Sequence, residues 1–133
     1  MFPQWHQELA TGVAEVDEQH QRLIAEIAAL VARVKAQDFS SLSETLRFLA
    51  GYAQEHFATE EALMRRAGYP GLAEHAEAHR AFVREFVELK SELEAEGPLP
   101  TLVLKMGNWL FDWLRSHVRN LDLAMGDWLR VHS

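Results

Sequence analysis

The chain contains no cysteine. That excludes a disulfide framework, a thiolate nucleophile, a zinc-finger ligand set and a cysteine-ligated iron–sulfur cluster together. Basic residues are outnumbered, 13 Lys and Arg against 20 Asp and Glu, giving a formal charge of -7. With no basic face to neutralise phosphates, nucleic-acid binding is not expected. Long apolar runs are missing too. The longest, Ile27 to Ala32, is far too short to span a bilayer, and the first ten residues lack the basic cluster and apolar stretch of a signal peptide. The expectation is a soluble, cytoplasmic protein without membrane insertion. No segment alternates apolar and polar residues as a strand does, and there is neither a repeat nor a low-complexity tract.

What the chain does have is helical periodicity. Its 133 residues suffice for one domain, 1–133, with a proper core. Residues 1–16 read as an N-terminal arm carrying Phe2, Pro3, Trp5 and a Thr11-Gly12 turn signal. Apolar residues then recur at intervals of three and four over 17–37, with Asp17 as the expected N-cap. The capping-box pattern Ser41-x-x-Glu44 opens a helix over 41–67, which Gly68 and Pro70 stop. A third helix covers 72–96 and is broken by Gly97-Pro98-Leu99-Pro100; a fourth covers 101–119. Leu121 to Val131 either carries that helix on or turns away from it. The pattern predicts an all-α, up-down-up-down four-helix bundle with an N-terminal arm and a short C-terminal helical segment.

Five of the seven histidines, His20, His56, His75, His79 and His117, fall on the inward stripes, together with Glu60 and Asp122. One histidine on an apolar face is ordinarily a hydrogen-bonded core residue. Here the same oddity occurs on all four helices. Burying these groups without partners would cost several kcal/mol, and a shared cation satisfies them all. His56 and Glu60 are four apart, as are His75 and His79, so each pair stacks on one face. His117 and Asp122 are five apart, about 140° round a regular helix. Both reach the centre only if the helix ends or widens into a π-like turn between them.

Imidazole with carboxylate and no sulfur suits iron, zinc, copper or manganese. Seven ligands are too many for one tetrahedral zinc but fit two six-coordinate metals with bridging carboxylates. Two carboxylates and one bridging hydroxide or oxide give each metal three oxygens. Three histidines complete one metal, two leave the other with an open position, and a small ligand can bind there. Leu23, Ile24, Phe57, Trp113 and Leu114 lie within a turn of a ligand and form an apolar pocket over it, or plain core. Tyr52 stands one turn before His56, and Trp109 one turn before Trp113. His6 and His132 fall outside the pattern and read as surface histidines.

Val16-Asp17-Glu18-Gln19-His20, His56-Phe57-x-x-Glu60-Glu61, His75-x-x-x-His79 and Trp113-Leu114-x-x-His117 with Asp122 resemble the hemerythrins, specifically the single-domain bacteriohemerythrins. The resemblance runs from about Trp5 to Asp122 and fills all seven ligand positions. It implies a non-heme di-iron centre, carboxylate- and oxo- or hydroxo-bridged, that binds O2 reversibly for carriage, storage or delivery. By position, His75, His79 and His117 would hold the six-coordinate iron and His20 and His56 the five-coordinate one, with Glu60 and Asp122 bridging. O2 would bind end-on at the latter as hydroperoxide. Glu61 faces about 100° away from Glu60 and reads as a surface or outlying residue. Other small ligands, such as azide, nitric oxide and peroxide, suit the same position; the sequence names no oxygen-accepting protein partner. The expectation is a protein that is not an enzyme. The alternatives are an O2, redox or nitric oxide sensor, and a di-iron redox enzyme such as a peroxidase or nitric oxide-handling protein. A ferritin-like di-iron protein needs Glu-x-x-His pairs, and none of the seven histidines has Glu three residues earlier.

Overall fold

The computed structural model describes residues 3–97 and 99–132; Phe2 of the arm and Pro98 of the expected break lie outside them. A single 3-10 turn, Gln7–Leu9, precedes four long helices: α1 (Ala14–Lys35), α2 (Leu42–Ala67), α3 (Leu72–Glu96) and α4 (Pro100–His117). A π-helical turn, Val118–Asp122, then joins α4 to α5 (Leu123–His132). Among the described residues there is no strand. The short connections force antiparallel neighbours: α1 packs on α2 and α4, and α3 packs on the same two, which closes the bundle. No helix is long and apolar enough to cross a membrane.

The helix ends depart from the expected ones for local reasons. α1 starts at Ala14, so the last three residues of the expected arm are helical. Its N-cap is Val13, and Asp17 turns back from the first turn instead. The Asp17 carboxylate accepts hydrogen bonds from Thr11 N at 2.8 Å, Thr11 Oγ1 at 2.7 Å and Gly12 N at 3.2 Å. It ties the arm to the helix from inside. Ser41 does stand at the N-cap of α2, but its side chain makes no capping bond, so the capping box does not close. Gly68 ends α2 in the left-handed region (φ 69), where a glycine carries no Cβ penalty.

The core has two parts with a polar layer between. The larger contains Leu23, Ile24, Leu49, Phe57, Phe82, Met106, Leu110 and Leu114. The smaller, Val16, Met64, Met125 and Leu129, is capped by Tyr69 and Trp128. Val16 lies four residues before His20, Met64 four after Glu60, and Met125 three after Asp122. The polar side chains are therefore sealed by apolar residues one turn to either side. Phe39 is half-buried against the larger cluster.

Candidate metal centre

All seven expected ligands meet in that layer. His20, Glu60 and Asp122 are fully buried, and His56, His75, His79 and His117 are at most 6% exposed. His117 and Asp122 share a face because the π-turn absorbs the surplus residue between them: Leu123 N donates to Val118 O, five residues back.

The two carboxylates each divide their oxygens between two sets of imidazoles. Glu60 Oε1 lies 3.2 Å from His75 Nε2 and 3.0 Å from His79 Nε2. Glu60 Oε2 lies 3.2 Å from His56 Nε2 and 3.5 Å from His20 Nε2. Asp122 Oδ1 lies 2.8 Å from His75 Nε2 and 3.1 Å from His117 Nε2, while its Oδ2 lies 3.0 Å from His20 Nε2. Two groups of potential ligands result: Glu60, His75, His79 and His117, and His20, His56, Glu60 and Asp122.

Hydrogen bonding accounts for only some of these contacts, those of Glu60 Oε1 with His75 Nε2 and His79 Nε2 among them. His20 Nε2, His56 Nε2, Glu60 Oε2 and both Asp122 oxygens are buried with no aligned partner, although charged atoms stand within about 3 Å. Proximity without alignment is what ligands of a common ion show. The other group makes the same point by distance. His117 Nε2 is 3.0 Å from His75 Nε2 and 3.2 Å from His79 Nε2. Metal–nitrogen bonds of about 2.1 Å put neighbouring ligands about 3.0 Å apart at right angles, but about 3.4 Å apart in a tetrahedron. The 3.0 Å separation matches the right-angled value and the 3.2 Å one lies between the two, so both are ligand spacings round one ion. Glu60 Oε1 lies 3.9 Å from His117 Nε2 in the same group. The residues present therefore fit metal at two adjoining positions that share Glu60.

The outward ring nitrogens fix the tautomers of two of these histidines. Thr59 Oγ1 donates to Glu55 O and so accepts from Gln19 Nε2, which turns Gln19 Oε1 toward His56. His56 Nδ1–H donates to that oxygen at 2.6 Å, leaving Nε2 as a lone pair facing inward. Likewise His79 Nδ1–H donates to Glu61 Oε2 at 2.8 Å. Glu61 does turn away from Glu60, but toward a ligand on α3 and not to open solvent. Gln19 carried no mark in the sequence beyond standing next to His20.

Without a cation the centre is electrostatically strained. Burial opposes charging of His20 and His75, but the carboxylates of Asp122 and Glu60 beside them prevail and raise both to about 9. His117 rises for the same reason. Burial pushes the Glu60 carboxyl up, and the imidazoles of His117, His20, His56 and His75 beside it pull it well below the usual carboxylate range. Asp122 is raised by burial and by the Glu60 charge, and is held low by His117, His20 and His75. Two buried anions draw positive charge into the layer, as protons or as metal.

An apolar cavity of about 20 Å³ adjoins the layer, lined by Leu23, Ile27, Leu49, Ala53, Phe57, Phe82, Leu110, Trp113 and Leu114. Four of the five expected pocket residues are walls; Ile24 is buried in the same core but is not one of them. Tyr52 stacks on Phe48 at 5.5 Å. His6 and His132 are exposed.

A family model described as the hemerythrin HHE cation binding domain matches residues 11–129. The chain is 30% identical to a bacteriohemerythrin of Stenotrophomonas maltophilia over 128 residues, 96% of this chain and 82% of that one. It is also 30% identical to a bacteriohemerythrin of Pseudomonas aeruginosa over 126 residues, 95% of this chain and 80% of that one. A myohemerythrin of Theromyzon tessulatum is 28% identical over 119 residues, 90% of this chain and 87% of its own.

Proposed function

Because the chain belongs to the hemerythrin family, we propose that it holds two irons and binds O2 reversibly, for carriage, storage or delivery. His75, His79 and His117 would hold one iron and His20 and His56 the other, with Glu60 and Asp122 placed to serve both. The observation that carries this reading is the division of each carboxylate, one oxygen toward each set of imidazoles. When bound, iron would supply the electrons and an open position for O2, on the side held by His20 and His56.

The rest is done by the chain. Gln19 and Glu61 aim the lone pairs of His56 and His79 inward. The cavity holds about one molecule of water or O2 size, since a single water needs roughly 10–15 Å³ of such space. Its walls are all apolar, which keeps water and protons from whatever is bound there. No acid or base lines it, and that supports binding and release over turnover.

The test is the visible spectrum of the dithionite-reduced, desalted, iron-loaded protein as O2 is added and then withdrawn. A charge-transfer band that appears and disappears over repeated cycles is expected. A band that decays at once to the oxidised state, or catalytic consumption of peroxide or nitric oxide, would replace the carrier reading with the enzyme or sensor one.

A further inference from the structure

The bundle contains a line of aromatic rings that packing alone leaves without a reason for its direction. The Trp113 indole stacks on His117 with centroids 4.5 Å apart and planes 13° from parallel. Phe82 lies 4.5 Å from Trp113 on one side and stacks on Trp109 at 5.0 Å and 14° on the other. Trp109 is half-buried, and its Nε1–H donates to the exposed Glu85 Oε2 at 3.0 Å. Phe57 joins from the side, stacked on His79 at 3.9 Å and 5.8 Å from Trp113. The line runs from two rings of the metal layer to the surface, with oxidisable indoles at Trp113 and Trp109.

We propose that Trp113 and Trp109 form an electron-escape route carrying oxidising equivalents from the metal centre to the surface, with Glu85 as the proton acceptor. This rests on the di-iron reading. Its occasion is attack of hydrogen peroxide on the already oxidised, diferric centre: the peroxide O–O bond breaks, two further electrons leave the centre, and with two protons from solvent two water molecules form. Trp113, in contact with His117, yields one electron inward and is refilled from Trp109 through Phe82. Trp109 then carries the deficit, and its Nε1 proton passes along the existing hydrogen bond to Glu85. The sum is one electron returned to the centre, one neutral indolyl radical at Trp109 and one protonated Glu85. A soluble one-electron reductant of the thiol or ascorbate class restores Trp109, and the proton returns from Glu85.

The chemistry explains the ends of the line. An indole that has lost an electron is a strong acid, so a carboxylate on its N–H makes the loss easier and keeps the radical at that ring. Trp128 makes the contrast. It donates to the Ala67 carbonyl oxygen and stacks on His132 near the C-terminus, off this line. Damage placed at an accessible ring is repairable, whereas damage to the ligands would release the metal.

The experiment is freeze-quench electron paramagnetic resonance of the iron-loaded full-length protein mixed with hydrogen peroxide. It is read beside iron content and mass-spectrometric mapping of oxidised tryptophan. A neutral tryptophanyl radical and oxidation at Trp109 are expected. Trp109→Phe loses both, Trp109→Tyr gives a tyrosyl signal instead, and Glu85→Gln converts the neutral radical to the protonated cation or removes it. Trp128→Phe leaves the signal as it was. A radical unaffected by Trp109→Phe, or none in the wild type with two irons bound, overturns the proposal. Iron content below one per chain would instead overturn the di-iron reading, and the proposal with it.

Discussion

Gln19 and Glu61 hold equivalent positions against the two halves of the centre but differ in charge. Gln19 offers His56 a neutral amide oxygen, and Glu61 offers His79 a carboxylate. Each fixes a tautomer, so removing either frees a ligand ring to turn or to present the wrong nitrogen. Replacing an outlying partner of this kind typically weakens metal binding about 10–100-fold. Gln19→Leu is expected to show a loss of that size in chelator competition with helicity unchanged, and Gln19→Glu, which keeps the acceptor, to show a much smaller one. Equal affinity in Gln19→Leu would mean the bond positions nothing. The seven side chains that meet in the layer were legible because an imidazole or carboxylate on an apolar stripe is chemically out of place. Gln19 was not, because a glutamine on a helix is ordinary and its partner His56 is 37 residues away. Only the packing of α1 on α2 brings them together.

At the scale of the elements, the helix ends were less legible than the helices. Periodicity marks where a face is buried, whereas a terminus depends on a few competing local bonds. Asp17 could cap α1 or turn back on the arm, and the buried Thr11 backbone decided for the arm. The π-turn was readable in outline because five residues between two inward groups leave a regular helix no solution. α5 depends on Gly126, where a Cβ would run into the Thr11 carbonyl oxygen and lie 2.9 Å from Thr11 Cβ. Backbone cannot move aside as a flexible side chain can, so Gly126→Ala is expected to destabilise the chain by about 1–3 kcal/mol. Thermal unfolding of the metal-free variant checks this, and an unchanged or raised melting temperature would show that α5 is not seated against the arm.

The molecule as a whole places seven buried polar groups across the middle of a small apolar bundle, and pH should reveal how they are satisfied. In the metal-free chain His20 and His75 titrate near 9, above their ordinary 6.5. A raised imidazole contributes stability that is fully present below the unfolded value and is lost as pH rises through the folded one. The depressed carboxyls of Glu60 and Asp122 contribute stability that is present above their ordinary range and lost in acid. The metal-free protein should therefore melt at progressively lower temperature between pH 6.5 and 9. With metal bound, the imidazoles are already deprotonated ligands, so the loaded protein should lose little over that range. Parallel curves for the two forms would count against the layer as the binding site.

The central claim is a pair of metals sharing Glu60 and Asp122, and its most direct test is X-ray absorption of the iron-reconstituted protein with iron counted per chain. The account predicts two irons per chain and an iron–iron vector within about 4 Å, the spacing of two-metal sites. In Glu60→Gln, which loses one bridging oxygen, both the second iron and that vector should disappear. One iron per chain, or two with no iron–iron vector, would contradict it.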